Sequence, residues 1–132
     1  MKVNFKKILT ILCLFLISLS VNAKWNKVID AIVKVESNGD EKARNGNCVG
    51  PMQISPVCVE ECNKILKESK EKLRYTLKDR YNLEKSKKMF ILLQSRYNPE
   101  GNIEKAIRTW NGGPNYSKSK TERYYRKVLA VM

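Results

Sequence analysis

The stretch IVKVESNGDEKARNGNCVGPMQISP, Ile32 to Pro56, decides how this chain is read. Its first residues continue an apolar series, Trp25, Val28, Ile29, Ile32 and Val33, whose spacing is that of one helix face. Glu36 falls on the same stripe, one turn further on. Asn38-Gly39-Asp40 then stops the helix, and a Gly, Asn and charge-rich loop leads to the compact segment Gly50-Pro51-Met52-Gln53-Ile54. The arrangement sets a carboxylic acid at the end of a buried helix face and opposite a glycine-bearing turn.

Working outward, Ser55-Pro56 is a helix start: Ser55 is the N-cap and Pro56 the first helical residue. Val59, Cys62, Ile65 and Leu66 form its apolar face. Residues 68–73 are charged and read either as an extension of that helix or as a connection. Tyr75 to Tyr81 reads as a short turn with Leu77 and Tyr81 inward. Asn82 or Leu83 opens a helix through Tyr97, and Asn98-Pro99-Glu100-Gly101 breaks it. Asn102 caps a further helix carrying Ile103, Ala106, Ile107 and Trp110, ended by Asn111-Gly112-Gly113-Pro114. Ser119 or Thr121 begins the last helix, which presents Tyr124, Tyr125, Val128 and Leu129. No alternating run is long enough to found a sheet. The expectation is one domain, all-α or nearly so, of about five to six helices.

The other end of the chain reads as an export segment. Lys2, Lys6 and Lys7 precede an apolar run from Ile8 to Leu19, and Val21-Asn22-Ala23 fits a small-x-Ala cleavage site. Residues 1–23 are therefore expected to be a signal peptide. The run is short for a membrane span, so the membrane is met only through this segment if it stays uncleaved. The domain would occupy residues 24–132. Removing three lysines from the formal +13 of the chain leaves it at about +10, which predicts attraction to a polyanion. Lys and Arg are scattered around the helices without a nucleic-acid readout motif, and export argues against a genomic target.

The chain contains no histidine. Ser-His-Asp triads, Cys-His pairs and HExxH zinc sites are excluded, so acid-base chemistry falls to carboxylates, or less naturally to Lys, Tyr or Cys. No cofactor is implied. Cys48, Cys58 and Cys62 make a poor metal site without an imidazole. After export they predict one disulfide, Cys48 with Cys58 or Cys62, and one free thiol.

Glu36-Ser37, then Gly50-Pro51-Met52-Gln53-Ile54, then Trp110-Asn111-Gly112-Gly113, then Thr121 followed by Tyr124, resemble the SLT-like lytic transglycosylase domain. That family shares the lysozyme-like fold with goose-type lysozyme. The elements come in its order and span almost all of residues 24–132. Two blocks depart from the family form: Pro51 stands where Leu is usual, and Thr109-Trp110-Asn111 where Ala-Tyr-Asn is usual.

The resemblance implies an exported enzyme, periplasmic or secreted, that cleaves the MurNAc-GlcNAc β-1,4 bond of peptidoglycan glycan strands. Its employer would be a secretion, conjugation or phage machine. Glu36 would be the general acid, then the base that draws the proton from the MurNAc C6 hydroxyl as a 1,6-anhydro ring closes. The MurNAc acetamido group would assist at C1, so that one carboxylate suffices where two are ordinary. Ser37, Gly50, Met52, Gln53, Asn111 and Tyr124 are the implied substrate-binding set. Gly50 would let the backbone approach the sugar, Met52 would offer an apolar contact, and Gln53 a hydrogen bond. Trp110 is divided between core packing and sugar stacking. Asp40 or Glu41 could activate water in the alternative, a hydrolytic muramidase; a non-catalytic wall-binding or membrane-active basic domain is the third reading.

Overall fold

The structure, a computed structural model, describes residues 23–132; the expected signal peptide therefore lies almost wholly outside the described residues. Helix α1 occupies residues 23–37. A two-stranded antiparallel hairpin follows, β1 (Arg44–Asn45) and β2 (Cys48–Val49), with Arg44 opposite Val49 and Asn45 opposite Cys48. Helices α2 (Pro56–Glu68), α3 (Leu83–Tyr97), α4 (Ile103–Gly112) and α5 (Lys118–Val131) complete the chain, with a 3-10 turn (Leu77–Tyr81) before α3. The expected helical fold is observed. The hairpin escapes a periodicity argument because two residues per strand are too few to alternate.

Local chemistry sets the helix boundaries. Ser55 Oγ accepts the Cys58 N–H, Asn82 Oδ1 that of Lys85 and Asn102 Oδ1 that of Lys105. Replacing Ser55 with Ala is expected to lower stability by about 1 kcal/mol, read from the urea midpoint. An unchanged midpoint would mean that this cap adds nothing. Helix α5 starts one residue after Ser117, earlier than the sequence suggests, because Ser117 rather than Ser119 or Thr121 is the cap. Thr121 is instead buried, donating its hydroxyl to the Ser117 carbonyl.

One core unites all five helices. Trp25, Val28, Ile29 and Ile32 of α1 meet Val59, Cys62 and Leu66 of α2, Met89 and Phe90 of α3, Ala106 and Ile107 of α4 and Val128 of α5. Each fully buried aliphatic side chain contributes roughly 1.5–3 kcal/mol. Phe90 receives Trp25 and Trp110 edge-on, with centroids 5.6 and 5.2 Å away. That contact ties the beginning of α1 to the end of α4.

Helices α4 and α5 are joined through Arg108. Its guanidinium donates to Glu104, Glu122, the Thr121 hydroxyl and the Lys118 carbonyl, and it lies 4.3 Å from the Tyr125 ring centroid. Gly112 permits the same approach, since a Cβ there would stand 2.7 Å from Thr121 Cγ2. The close packing fixes α5, and with it Tyr124, against the rest of the domain.

Candidate active site

The carboxylate at the end of the apolar stripe meets a partner from the other end of the chain. Tyr124 on α5 donates its hydroxyl to Glu36 Oε1 at 2.8 Å, joining residues 88 positions apart. Burial disfavours the ionised acid and raises its pKa above the ordinary carboxylate value; the Tyr124 hydrogen bond opposes this and is the smaller effect. Burial, with the Glu36 charge behind it, raises the Tyr124 pKa as well. The phenol therefore stays protonated and remains a donor.

The raised value has a defined consequence for stability. Between the ordinary carboxylate pKa and the raised one, the native state holds a proton that the unfolded chain has released. Stability from this group is thus present at low pH and is lost as pH rises through that window.

Beside the acid, Ser37 is committed to the scaffold. Its hydroxyl donates to the Pro51 carbonyl at 2.8 Å and to the Val33 carbonyl, and it accepts the Gly39 N–H. The Pro51 bond docks the Gly50–Ile54 loop onto the end of α1. From the opposite side, Trp110 Nε1 donates to the Met52 carbonyl at 3.2 Å. The loop is therefore held between the helix that carries Glu36 and the end of the helix that carries Asn111.

The loop owes its form to left-handed residues and to its own hydrogen bonds. Val49 and Ile54 exchange backbone bonds across it, and Gly50 and Gln53 take φ values of +82° and +52°. Gln53 Nε2 donates to the Ala43 and Gly50 carbonyls at 3.1 and 2.9 Å. Its amide nitrogen is thus used internally, which leaves the amide oxygen as the group available to a ligand.

Two expected substrate contacts are corrected. Gly50 is buried, and a Cβ on it would lie 1.9 Å from the Arg80 carbonyl oxygen, so the glycine serves approach to the 3-10 turn rather than to a sugar. Met52 is 0% exposed and belongs to the core; it supports the loop from beneath and offers no apolar surface to a ligand. Asn111, by contrast, is exposed at the end of α4.

A cleft of about 580 Å³ adjoins this region, lined in part by Gln53, Ile54, Trp110 and Asn111. Its lining includes neither Glu36 nor Tyr124; most of it comes from α2, the end of α3 and the end of α4. Trp110 packs on Phe90, the first of its two expected roles, and also lines the cleft.

The expected disulfide is not formed: Cys48, Cys58 and Cys62 are free thiols. Cys62 is buried and directed at the Met89 carbonyl, while Cys48 sits on the hairpin beside the Asn47 side chain. Cys58, one helical turn before Cys62 on α2, has its thiol against that of Cys62. Asp40 and Glu41 are exposed, and Asp40 Oδ1 accepts the Lys42 N–H in a local turn.

One residue of the site's frame was not legible as such. Arg80 is 8% exposed, whereas Leu77, which the sequence places inward, is 51% exposed and Tyr81 is half-buried. Nothing in a charged run such as Leu77-Lys78-Asp79-Arg80-Tyr81 marks one cation for burial. The signal that could have found it is Gly50, whose missing side chain announces a close neighbour.

The acid–tyrosine pair predicts how the rate responds to pH. With Glu36 as the general acid that the resemblance implies, activity should fall as pH rises through its pKa, because a general acid works while protonated. Tyr124→Phe removes the bond that lowers this pKa. The alkaline limb of its kcat/KM profile is expected to move to higher pH, with a loss of about tenfold at the optimum. A limb that stays in place would contradict the coupling.

A family model described as Transglycosylase SLT domain matches residues 16–130. No curated protein and no solved structure matches the chain.

Proposed function

Since the chain belongs to the transglycosylase SLT domain family, we propose that it is an exported lytic transglycosylase that opens peptidoglycan glycan strands with Glu36 as its single acid-base. Residues 1–23 direct export in this reading, to the periplasm or the exterior, and residues 24–132 do the work. The observation that carries it is the half-buried Glu36, raised in pKa and held by the Tyr124 hydroxyl at 2.8 Å.

The reaction proceeds in two proton transfers. Protonated Glu36 gives its proton to the glycosidic oxygen as the bond to C1 of MurNAc breaks. The MurNAc acetamido oxygen covers C1 as positive charge develops there. Glu36, now ionised, takes the proton from the C6 hydroxyl, and that oxygen closes on C1 as the acetamido group leaves. The acid is regenerated and no water is consumed. Tyr124 stabilises the carboxylate in its ionised interval, then returns to a weaker bond with the neutral acid.

Support for a lone carboxylate comes from Asp40 and Glu41, both exposed and the former engaged with its own turn. The apolar and polar mixture along the cleft suits sugar rings, which present apolar faces and hydroxyl edges. Asn111 and the free oxygen of Gln53, both on the cleft lining, are the groups we assign to an acetamido or hydroxyl of the strand. The basic balance of the chain favours the anionic polymers of a wall.

Mass analysis of digested peptidoglycan separates this reading from hydrolysis. Ends lighter by one water than a reducing MurNAc are expected. Reducing ends alone would make the enzyme a muramidase.

A further inference from the structure

A buried guanidinium is ordinarily matched by a carboxylate, as Arg108 is by Glu104 and Glu122. Arg80 is buried to a similar degree, yet no carboxylate among the described residues forms an ion pair with it. Its partners are main-chain carbonyls drawn from two segments. Nε donates to Leu77 at 2.8 Å within its own turn, while Nη1 donates to Asn47 at 2.9 Å and to Ile54 at 3.1 Å. Those last two residues bracket the Gly50–Gln53 loop at its entry and exit.

The clamp is reinforced from both sides. Gly50 lies against the Arg80 carbonyl, which also accepts the Ser86 hydroxyl at the start of α3. Arg44 of the hairpin donates to the Tyr81 hydroxyl at 2.8 Å. A charge that has given up water for three carbonyls holds them strongly, because ionised donors make the stronger hydrogen bonds. The same loop then receives Ser37 on its Pro51 carbonyl and Trp110 on its Met52 carbonyl.

We propose that Arg80 is a positioning residue of the active site: gripping the Asn47 and Ile54 carbonyls, it fixes the loop that carries Gln53 and that Ser37 docks onto the end of α1. The role rests on the transglycosylase reading for its effect on rate, but the clamp itself is independent of that reading. A lysine keeps the charge and can reach one of the two segments. Its single nitrogen cannot bond the Leu77 carbonyl, as Nε does, while holding the Asn47 and Ile54 carbonyls, as Nη1 does, so the grip on the loop loosens. Alanine abandons both.

Amide exchange tests the clamp without reference to catalysis. In Arg80→Lys, and more so in Arg80→Ala, the Gln53 and Ile54 amides should exchange faster while those of α4 and α5 keep their protection. Turnover of peptidoglycan per folded molecule should fall in the order Arg, Lys, Ala, with kcat down about tenfold or more in the alanine variant. Millimolar guanidinium chloride should restore part of that loss, where sodium chloride at equal concentration does not. Should Arg80→Ala fail to fold, Arg80→Lys supplies the exchange and kcat readings.

Unchanged exchange at Gln53 and Ile54 would overturn the proposal, and so would parental kcat in a variant whose loop has loosened. A loss that follows only the unfolded fraction, and that guanidinium leaves unmoved, would overturn it too. A parent that does not cleave peptidoglycan, with loop exchange still faster in the variants, would remove the assigned reaction and leave the clamp standing.

Discussion

Glu36→Gln is expected to reduce cleavage of purified peptidoglycan by about a thousandfold or more, since the proposed mechanism gives one side chain the work of both acid and base. The amide is nearly the shape of the acid, and its oxygen can still accept the Tyr124 hydroxyl, so the fold should survive. Stability provides an independent reading on the same variant. Burial makes ionised Glu36 unfavourable in the native state, and glutamine never ionises. The variant should therefore melt above the parent at about pH 8, and the difference should shrink towards about pH 4, where both side chains are neutral. An inactive variant with no pH-dependent gain would separate the catalytic role from the buried state argued for it. Parental activity would end the assignment.

Gly50→Ala carries the largest expected effect on stability. The added Cβ would stand 1.9 Å from the Arg80 carbonyl oxygen and 2.8 Å from its carbon, and both are backbone atoms that no rotamer change can move. The φ of +82° adds strain for any L side chain. Together these should cost about 3–5 kcal/mol, a large share of the roughly 5–15 kcal/mol that holds a domain folded. Relief would require the Gly50–Ile54 loop to move off the 3-10 turn, so activity should fall with stability. Gly113 is the internal control. Its φ is +78°, but a Cβ there meets nothing within 4 Å. Gly113→Ala should thus show only the strain, roughly 1–3 kcal/mol, since its φ of 78° and ψ of 179° lie in a region essentially confined to glycine. Urea unfolding of the two variants side by side checks this. Equal losses would mean that contact with Arg80 is not what demands glycine at position 50.

The parts of this architecture governed by local chemistry could be read from residues alone. Helical spacing from Trp25 to Glu36 found α1 and set the acid at its inward end. Ser55, Asn82 and Asn102 marked helix starts because each bonds an amide three residues ahead, which is a relation within one turn. Tyr124 was assigned from the family pattern, and periodicity by itself would have left it as another aromatic on α5.

What escaped the sequence depends on partners far along the chain. Arg80 is buried because the Asn47 and Ile54 carbonyls, 33 and 26 residues earlier, await its protons. Thr121 reads as a helix cap, yet it packs under Gly112 and accepts from Arg108. Gly50 marks a close approach, but the approaching surface is the Arg80 backbone and not a sugar. Met52 likewise faces inward, where Trp110 holds its carbonyl. In each instance the residue type announced a constraint, and only the fold named the neighbour that satisfies it.

The central claim is that Glu36 closes a ring within the substrate and that water takes no part. Digestion of peptidoglycan in water enriched in heavy oxygen, followed at once by mass analysis of the newly formed MurNAc ends, tests it most directly. The account predicts 1,6-anhydro ends at natural isotopic mass from the first turnovers onward. Reducing ends that carry heavy oxygen at C1 from the outset would contradict it.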